Sequence, residues 1–217
     1  MPGKLTYFKV GGRAESIRAL LCHAGIEFED NIVESNQPLK ESGYSPMGGL
    51  PVWEEDGFVM CQGNAIMRNI GMRHGYYSED AEICFNIDSL QDFAEDVLMM
   101  FGGYMFAMNR GNMEGIEEKR EKHLAYWDKH IKLIGDRLEA SGKPFAGGTD
   151  RPSIADFKVF AQPSRFFKDT NSGSVVEEEM HEQVMAKINA RPVYKAWIDR
   201  MKQENTAWYQ KREPTAF

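Results

Sequence analysis

The stretch Met47-Gly48-Gly49-Leu50-Pro51-Val52, followed by Glu55-Asp56-Gly57 and then by Gln62-Gly63-Asn64-Ala65-Ile66, carries most of what the chain says about its fold. Proline at the first position of a strand removes one ladder donor, so it belongs where the preceding residue turns its backbone groups elsewhere. That leaves the N–H and C=O of Leu50 for another partner, and a tight corner such as Leu50-Pro51 is the place in the chain best suited to a cis peptide, the sequence leaving the isomer open. Asp56-Gly57 is a two-residue hairpin signal joining Val52-Trp53 to Phe58-Val59-Met60. Gln62-Gly63-Asn64 then opens a helix on bare N–H groups, where the helix dipole favours an anion. Two readings fit: a corner that grips a peptide-like ligand through a carboxylate, or an ordinary hairpin and helix cap with no ligand.

Upstream, Lys4 to Val10 is rich in β-formers and reads as a first strand that stops at Gly11-Gly12. Ile17, Leu20, Leu21 and Ala24 then mark one apolar face of a helix ending at Gly25. Phe28 to Val33 suggests a second strand, which makes a βαβ unit with a right-handed crossover. With the hairpin and a helix from Asn64 to His74, this gives a βαβ-ββα layer over the first 76 residues. Residues 77–82 read as the end of a linker that starts near Gly75, and from 83 to 217 the periodicity is helical. Ile83, Ile87, Leu90, Ala94, Val97, Phe101 and Tyr104 step by four and three along one long helix, and Leu124, Trp127, Ile131, Ile134 and Leu138 along a second. Ser153-Ile154-Ala155-Asp156 has the capping-box spacing, with the N-cap at Ser153. Further helices are expected near Val176 to Asn189 and, after Pro192, from Val193 to Lys202.

Composition excludes several classes of function. A chain of 217 residues with 42% hydrophobic content can bury one large core or two small ones. A net charge of −7 without a basic stripe argues against nucleic acid or an anionic membrane surface as partner. The apolar start is broken by Lys9 and ends at Gly11-Gly12-Arg13, so neither a signal peptide nor a transmembrane span is expected. Cys22, Cys61 and Cys84 form an odd set with no Cys-x-x-Cys pair, which reads as a reducing, cytoplasmic setting. The five histidines show no metal-ligand spacing; each reads as a surface or half-buried helix residue, and no metal is expected.

Leu5-Thr6-Tyr7-Phe8 with Gly12-Arg13-Ala14-Glu15, then Leu50-Pro51, Gln62, Asn64-Ala65-Ile66 and Ser153-Ile154-Ala155-Asp156, in this order and over nearly the whole chain, resemble the glutathione transferases found in the cytosol. The start is most like the sigma class, while the Gln-x-Asn-Ala-Ile block is nearer to mu and pi patterns. The resemblance implies an α/β thioredoxin-like N-terminal domain followed by an all-α C-terminal domain, a homodimer, and glutathione as co-substrate for an electrophilic small molecule. It also implies the site. Tyr7 donates its hydroxyl to the glutathione sulfur and Arg13 adds positive field. Leu50, beside Pro51, pairs its backbone with the cysteinyl unit. Gln62 and the N–H of Gly63 take the γ-glutamyl end, and Lys40 reaches the glycine carboxylate. Asp92, with Asp96 as a substitute on the same face, reaches the ligand's amino group in the neighbouring subunit, and Phe8, Met99 and Tyr104 line the electrophile pocket.

Gly63 departs from the family, which usually carries serine there; the backbone donor stays and a hydroxyl is lost, so weaker glutathione binding is expected. Two other outcomes are compatible with the resemblance: a glutathione-dependent isomerase of a lipid endoperoxide, or a non-catalytic binding or crystallin-like structural protein. Tyr7, Arg13, Gln62 and Asp92, polar groups converging on one thiol, favour the transferase.

Overall fold

The computed structural model describes residues 2–109, 111, 113–167 and 178–211. Strands β1 (Gly3–Tyr7) and β2 (Phe28–Ile32) run parallel, with helix α1 (Glu15–His23) crossing between them. A short helix α2 (Gln37–Glu41) precedes the hairpin β3 (Val52–Glu55) and β4 (Phe58–Cys61), and α3 (Gly63–His74) closes this half. The sheet order is β2-β1-β3-β4, with β3 antiparallel to β1 and Thr6 opposite Val52. This is the thioredoxin-like layer expected from the sequence, with α2 as an addition inside the Glu34 to Met47 loop. The hairpin turns where Asp56-Gly57 lies, both residues with positive φ (51° and 79°), as a two-residue turn matched to the strand twist requires.

Every element described beyond Asp80 is helical: α4 (Ala81–Asn109), α5 (Ile116–Ser141), α6 (Ile154–Phe160), α7 (Glu178–Asn189), α8 (Pro192–Glu204) and α9 (Thr206–Lys211). The expected start of α7 at Val176 and the side chain of Phe101 lie outside the described residues. No helix among the described residues is long and apolar enough to cross a membrane.

Helix α6 is the keystone of the core. All seven of its residues are buried, and it packs on α1, α3, α4 and α8. Gly71 allows the approach of α3: a Cβ there would lie 2.6 Å from Ile154 Cγ2. The capping box at Ser153 and Asp156 forms as its spacing predicts. Trp53, Trp127 and Trp197 are each at most 1% exposed; burying a ring of that size contributes roughly 4–6 kcal/mol of gross transfer free energy.

Two expectations need correction, and one helix was not foreseen. The first strand ends at Tyr7 rather than Val10, because the carbonyls of Phe8 and Val10 turn to accept the Arg18 guanidinium (3.3 and 2.8 Å). Helix α9 has too short an apolar repeat to announce itself. His123 and His130 are not surface or half-buried residues: they lie inside the helical half, 3% and 0% exposed. His130 Nδ1 pairs with the Tyr194 hydroxyl (3.1 Å), and His123 Nε2 accepts from Trp127 Nε1 (3.2 Å). Burial pushes both imidazoles down from 6.5 to about 4, in His123 with the Arg165 charge acting the same way.

Candidate active site

Tyr7 ends β1 with its ring 7% exposed. The chain then turns back through a 3₁₀ turn at Gly12–Ala14, and the N–H of Arg13 donates to the Tyr7 hydroxyl at 3.1 Å. Gly12, at φ +46°, makes this approach possible, since a Cβ there would lie 2.6 Å from the phenol oxygen. Arg18, 2% exposed, fastens the corner from below. It bonds Asp30 through two nitrogens (2.8 and 3.1 Å) as well as the Phe8 and Val10 carbonyls, and its guanidinium lies 5.8 Å from the Tyr7 ring centre. The Phe8 ring meets Tyr7 edge-on at 5.3 Å.

The Arg13 guanidinium, expected to add field at the sulfur, is held by two partners: Nε donates to Glu95 Oε1 at 2.5 Å and Nη2 to Met99 Sδ at 3.1 Å. The other oxygen of Glu95 takes Lys158 Nζ at 3.0 Å. Burial raises the Glu95 carboxyl, but the Lys158 charge, with hydrogen bonds from Lys158 and Arg13, carries it below the usual carboxylate range. Burial lowers the Lys158 ammonium; Glu95 opposes this and the Arg13 charge adds to it.

The second wall is the hairpin corner. Leu50-Pro51 is cis. Beside it, Gly48 C=O accepts Asn36 Nδ2 (3.0 Å) and Gly49 C=O accepts the Ser45 hydroxyl (2.6 Å), whereas the backbone of Leu50 bonds no described residue. Exposed Lys40, on α2, lays its stem near Gly48: its Cγ is 3.8 Å from the point a Gly48 Cβ would take. Gln62, at the N-cap of α3 with φ 72° and ψ 110°, reaches Met47 Sδ at 3.7 Å. Gly63 is buried, yet a Cβ there would meet Arg13 O and Lys158 Nζ at 3.7 Å and Pro51 Cγ at 3.9 Å, so a small side chain has room. Asn64 Nδ2 donates to Asp92 Oδ1 at 3.0 Å within the same chain; Asp92 and Asp96 are both exposed.

Tyr7, Phe8, Arg13, Pro51, Gly63 and Met99 are thus linked by short contacts at one corner of the sheet, with Leu50, Gln62 and Asp92 at its rim. Tyr104 stands apart from them, 2% exposed and lining a cavity of about 280 Å³ with Met113, Ile116, Arg120 and Glu179. Arg18, Glu95 and Lys158 did not emerge from sequence reasoning. The available signal was a lysine inside the otherwise apolar run Ile154-Ala155-Asp156-Phe157-Lys158-Val159-Phe160, since lysine is rarely fully buried without a partner. Among the described residues no cluster of three or more His, Cys, Asp or Glu is placed to hold a metal.

Residues 3–71 match the family model for the glutathione S-transferase N-terminal domain. Glutathione S-transferase alpha-4 of Rattus norvegicus is 33% identical over 142 residues, 63% of this chain and 64% of that protein. Glutathione S-transferase 1 of Ascaris suum is 32% identical over 151 residues, 67% of this chain and 71% of the other. The crystal structure of the glutathione S-transferase from Ascaris lumbricoides superposes with a TM-score of 0.80 at 25% identity, over the full length of both chains. None of these carries the resemblance to the sigma class down to class level. With the sheet-bearing half matched by its family model, and an Ascaris relative about one-third identical across most of its own length, the chain belongs to the glutathione S-transferase family.

Proposed function

We propose that the chain is a glutathione transferase of the tyrosine type, joining the glutathione sulfur to an electrophilic carbon. The observation that carries this reading is the state of the Tyr7 hydroxyl. It accepts the Arg13 N–H at 3.1 Å and has no acceptor for its own proton among the described residues, so that proton is available to a ligand atom. A thiol with an ordinary pKa of about 8.5 is only a few per cent ionised at neutral pH. A donor aimed at the sulfur favours the thiolate, and lowering the pKa by about two units takes roughly 3 kcal/mol, within reach of a charge-assisted bond in a net positive setting. The thiolate then forms a C–S bond, either displacing a leaving group with its electron pair or adding to a polarised double bond.

The rest of the site supports the same ligand. The unpaired backbone of Leu50 suits the cysteinyl amide, and the first N–H groups of α3, from Gly63 on, suit the γ-glutamyl carboxylate with Gln62 beside it. Lys40 is assigned to the glycine carboxylate, and Phe8 and Met99 to the electrophile. Asp92 faces solvent and is assigned to the ligand's amino group across a homodimer interface; exposed Phe58, Met72 and Phe85 supply apolar surface for such an interface. The division into residues 1–76, a 77–82 linker and 83–217 belongs to this proposal. So does a reducing cytoplasmic setting, which suits three free cysteines.

The test is Tyr7→Phe, which keeps the buried ring and removes the donor. Conjugation of glutathione to a chlorodinitrobenzene is expected to fall about 100-fold at neutral pH, while the melt drops by no more than a few degrees for the acceptor lost to the Arg13 N–H. Undiminished turnover takes Tyr7 out of the mechanism.

A further inference from the structure

Glu95 joins three elements through one carboxylate: the turn after β1, its own helix α4, and α6. Lys158, 3% exposed, has Glu95 as its one hydrogen-bond partner among the described residues. A buried ammonium is costly to keep, and a self-neutralising pair needs only two members. Here two cations share one anion, so with all three groups ionised the cluster carries one positive charge in excess; burial draws Lys158 toward its neutral form, and Glu95 with the Asp92 charge holds it protonated. The excess lies against the candidate site. Lys158 Nζ is 3.7 Å from the point a Gly63 Cβ would occupy, and that point is 3.7 Å from the carbonyl of Arg13, whose N–H holds the Tyr7 hydroxyl. The other charge facing Lys158 is Asp92 on α4, which is exposed and bonded by Asn64.

We propose that Lys158 is a positioning residue of this site: by sharing Glu95 with Arg13 it fixes Arg13 against Tyr7 and keeps the cluster one positive charge in excess, which favours a thiolate at the Tyr7 hydroxyl. The inference rests on the transferase reading above. Without Lys158, Glu95 and Arg13 cancel, and a sulfur at the phenol faces a neutral pair instead of a cation. Nothing in this role requires Lys158 to touch the ligand.

The experiment is an ultraviolet titration of the thiolate in the full chain saturated with glutathione. In Lys158→Met the thiol midpoint is expected to rise, leaving roughly 3- to 10-fold less thiolate at any pH below both midpoints. Lys158→Arg, which keeps the charge, is expected to titrate as the unmodified protein does. Lys158→Gln keeps a donor to Glu95 without the charge and gives the same reading if the Met variant does not fold. A neutral variant that titrates like the original overturns the role, and so does an Arg variant that behaves like Met, because then packing and not charge is responsible. If the unmodified protein shifts its bound thiol and the neutral variants leave that shift intact, only the role of Lys158 falls; if it shows no shift at all, the transferase reading falls as well.

Discussion

Asp156 and Glu95 are both carboxylates that hold α6 in place, Asp156 through four neutral donors and Glu95 through two cations. Asp156, 0% exposed, receives the N–H of Ala146 (2.7 Å), the indole N–H of Trp197 (3.0 Å), and the N–H and hydroxyl of Ser153 (2.9 and 2.7 Å). Burial pushes its carboxyl up, and those donors offset only part of the rise. Neutral donors fixed by backbone and ring satisfy a charge without adding one, so this carboxylate anchors structure. The Glu95 side chain is about one-third exposed and its partners carry charge of their own, so it shapes the field around Tyr7. Helix α6 therefore bears a structural group and, two residues later, an electrostatic one, facing different neighbours.

The largest expected effect separates the two. Asp156→Ala strands buried donors from the loop at Ala146, the head of α6 at Ser153 and Trp197 of α8, and should cost about 3–5 kcal/mol in urea unfolding. A loss under about 1 kcal/mol means the four bonds do not anchor the fold.

Acid provides the second test. The folded pKa values of His123 and His130 lie near 4 against 6.5 when unexposed to burial, so the unfolded chain binds more protons between those values. Their stabilisation is complete above pH 6.5 and is lost as pH falls toward 4, by roughly 3 kcal/mol for each histidine when both states are fully protonated. Glu95, held below 4.5, loses its contribution only at lower pH still. The helical core should thus fail before the charged cluster does. Melting temperature followed from neutral to acid pH checks this, and His130→Phe should remove about half the slope. A slope that His130→Phe leaves unaltered assigns the acid sensitivity to other groups.

Smallest is Glu95→Gln. The Arg13 arm, about one-third exposed on both sides, is screened and weakens at high salt, while buried Lys158 loses its counter-charge and sheds part of that cost by giving up its proton, so the loss should be about 1–2 kcal/mol. A cost equal to that of Asp156→Ala, insensitive to salt, makes Glu95 an anchor of the same kind.

Much of the fold was legible because its signals are local. Asp56-Gly57 sets the hairpin through two positive φ angles, Ser153 and Asp156 lie within one helical turn, and the long helices declare themselves by spacing. Tyr7, Arg13 and Pro51 were singled out through the family resemblance, as short motifs at element ends. Arg13 meets Glu95 across 82 positions and Lys158 meets Glu95 across 63, and no periodicity records such a meeting. The burial of His123 and His130 is likewise a property of packing, His123 against Tyr104 of α4 and Phe166, His130 against Tyr194 of α8, and in sequence a histidine on an apolar face reads the same whether or not a neighbour covers it. Helix α2, with Pro38 in its first turn, is too short for a repeat to show.

The indole of Trp208 in α9 donates to Glu15 Oε1 at 3.0 Å, so the first helix is gripped by the last one described, 193 positions on. During vectorial synthesis the sheet half emerges first, but the head of α1, just behind the turn that cradles Tyr7, keeps an unfinished surface until residue 208 has left the tunnel. A chain clasped at both ends in this way ties the maturation of its amino-terminal corner to the completion of its carboxy-terminal one.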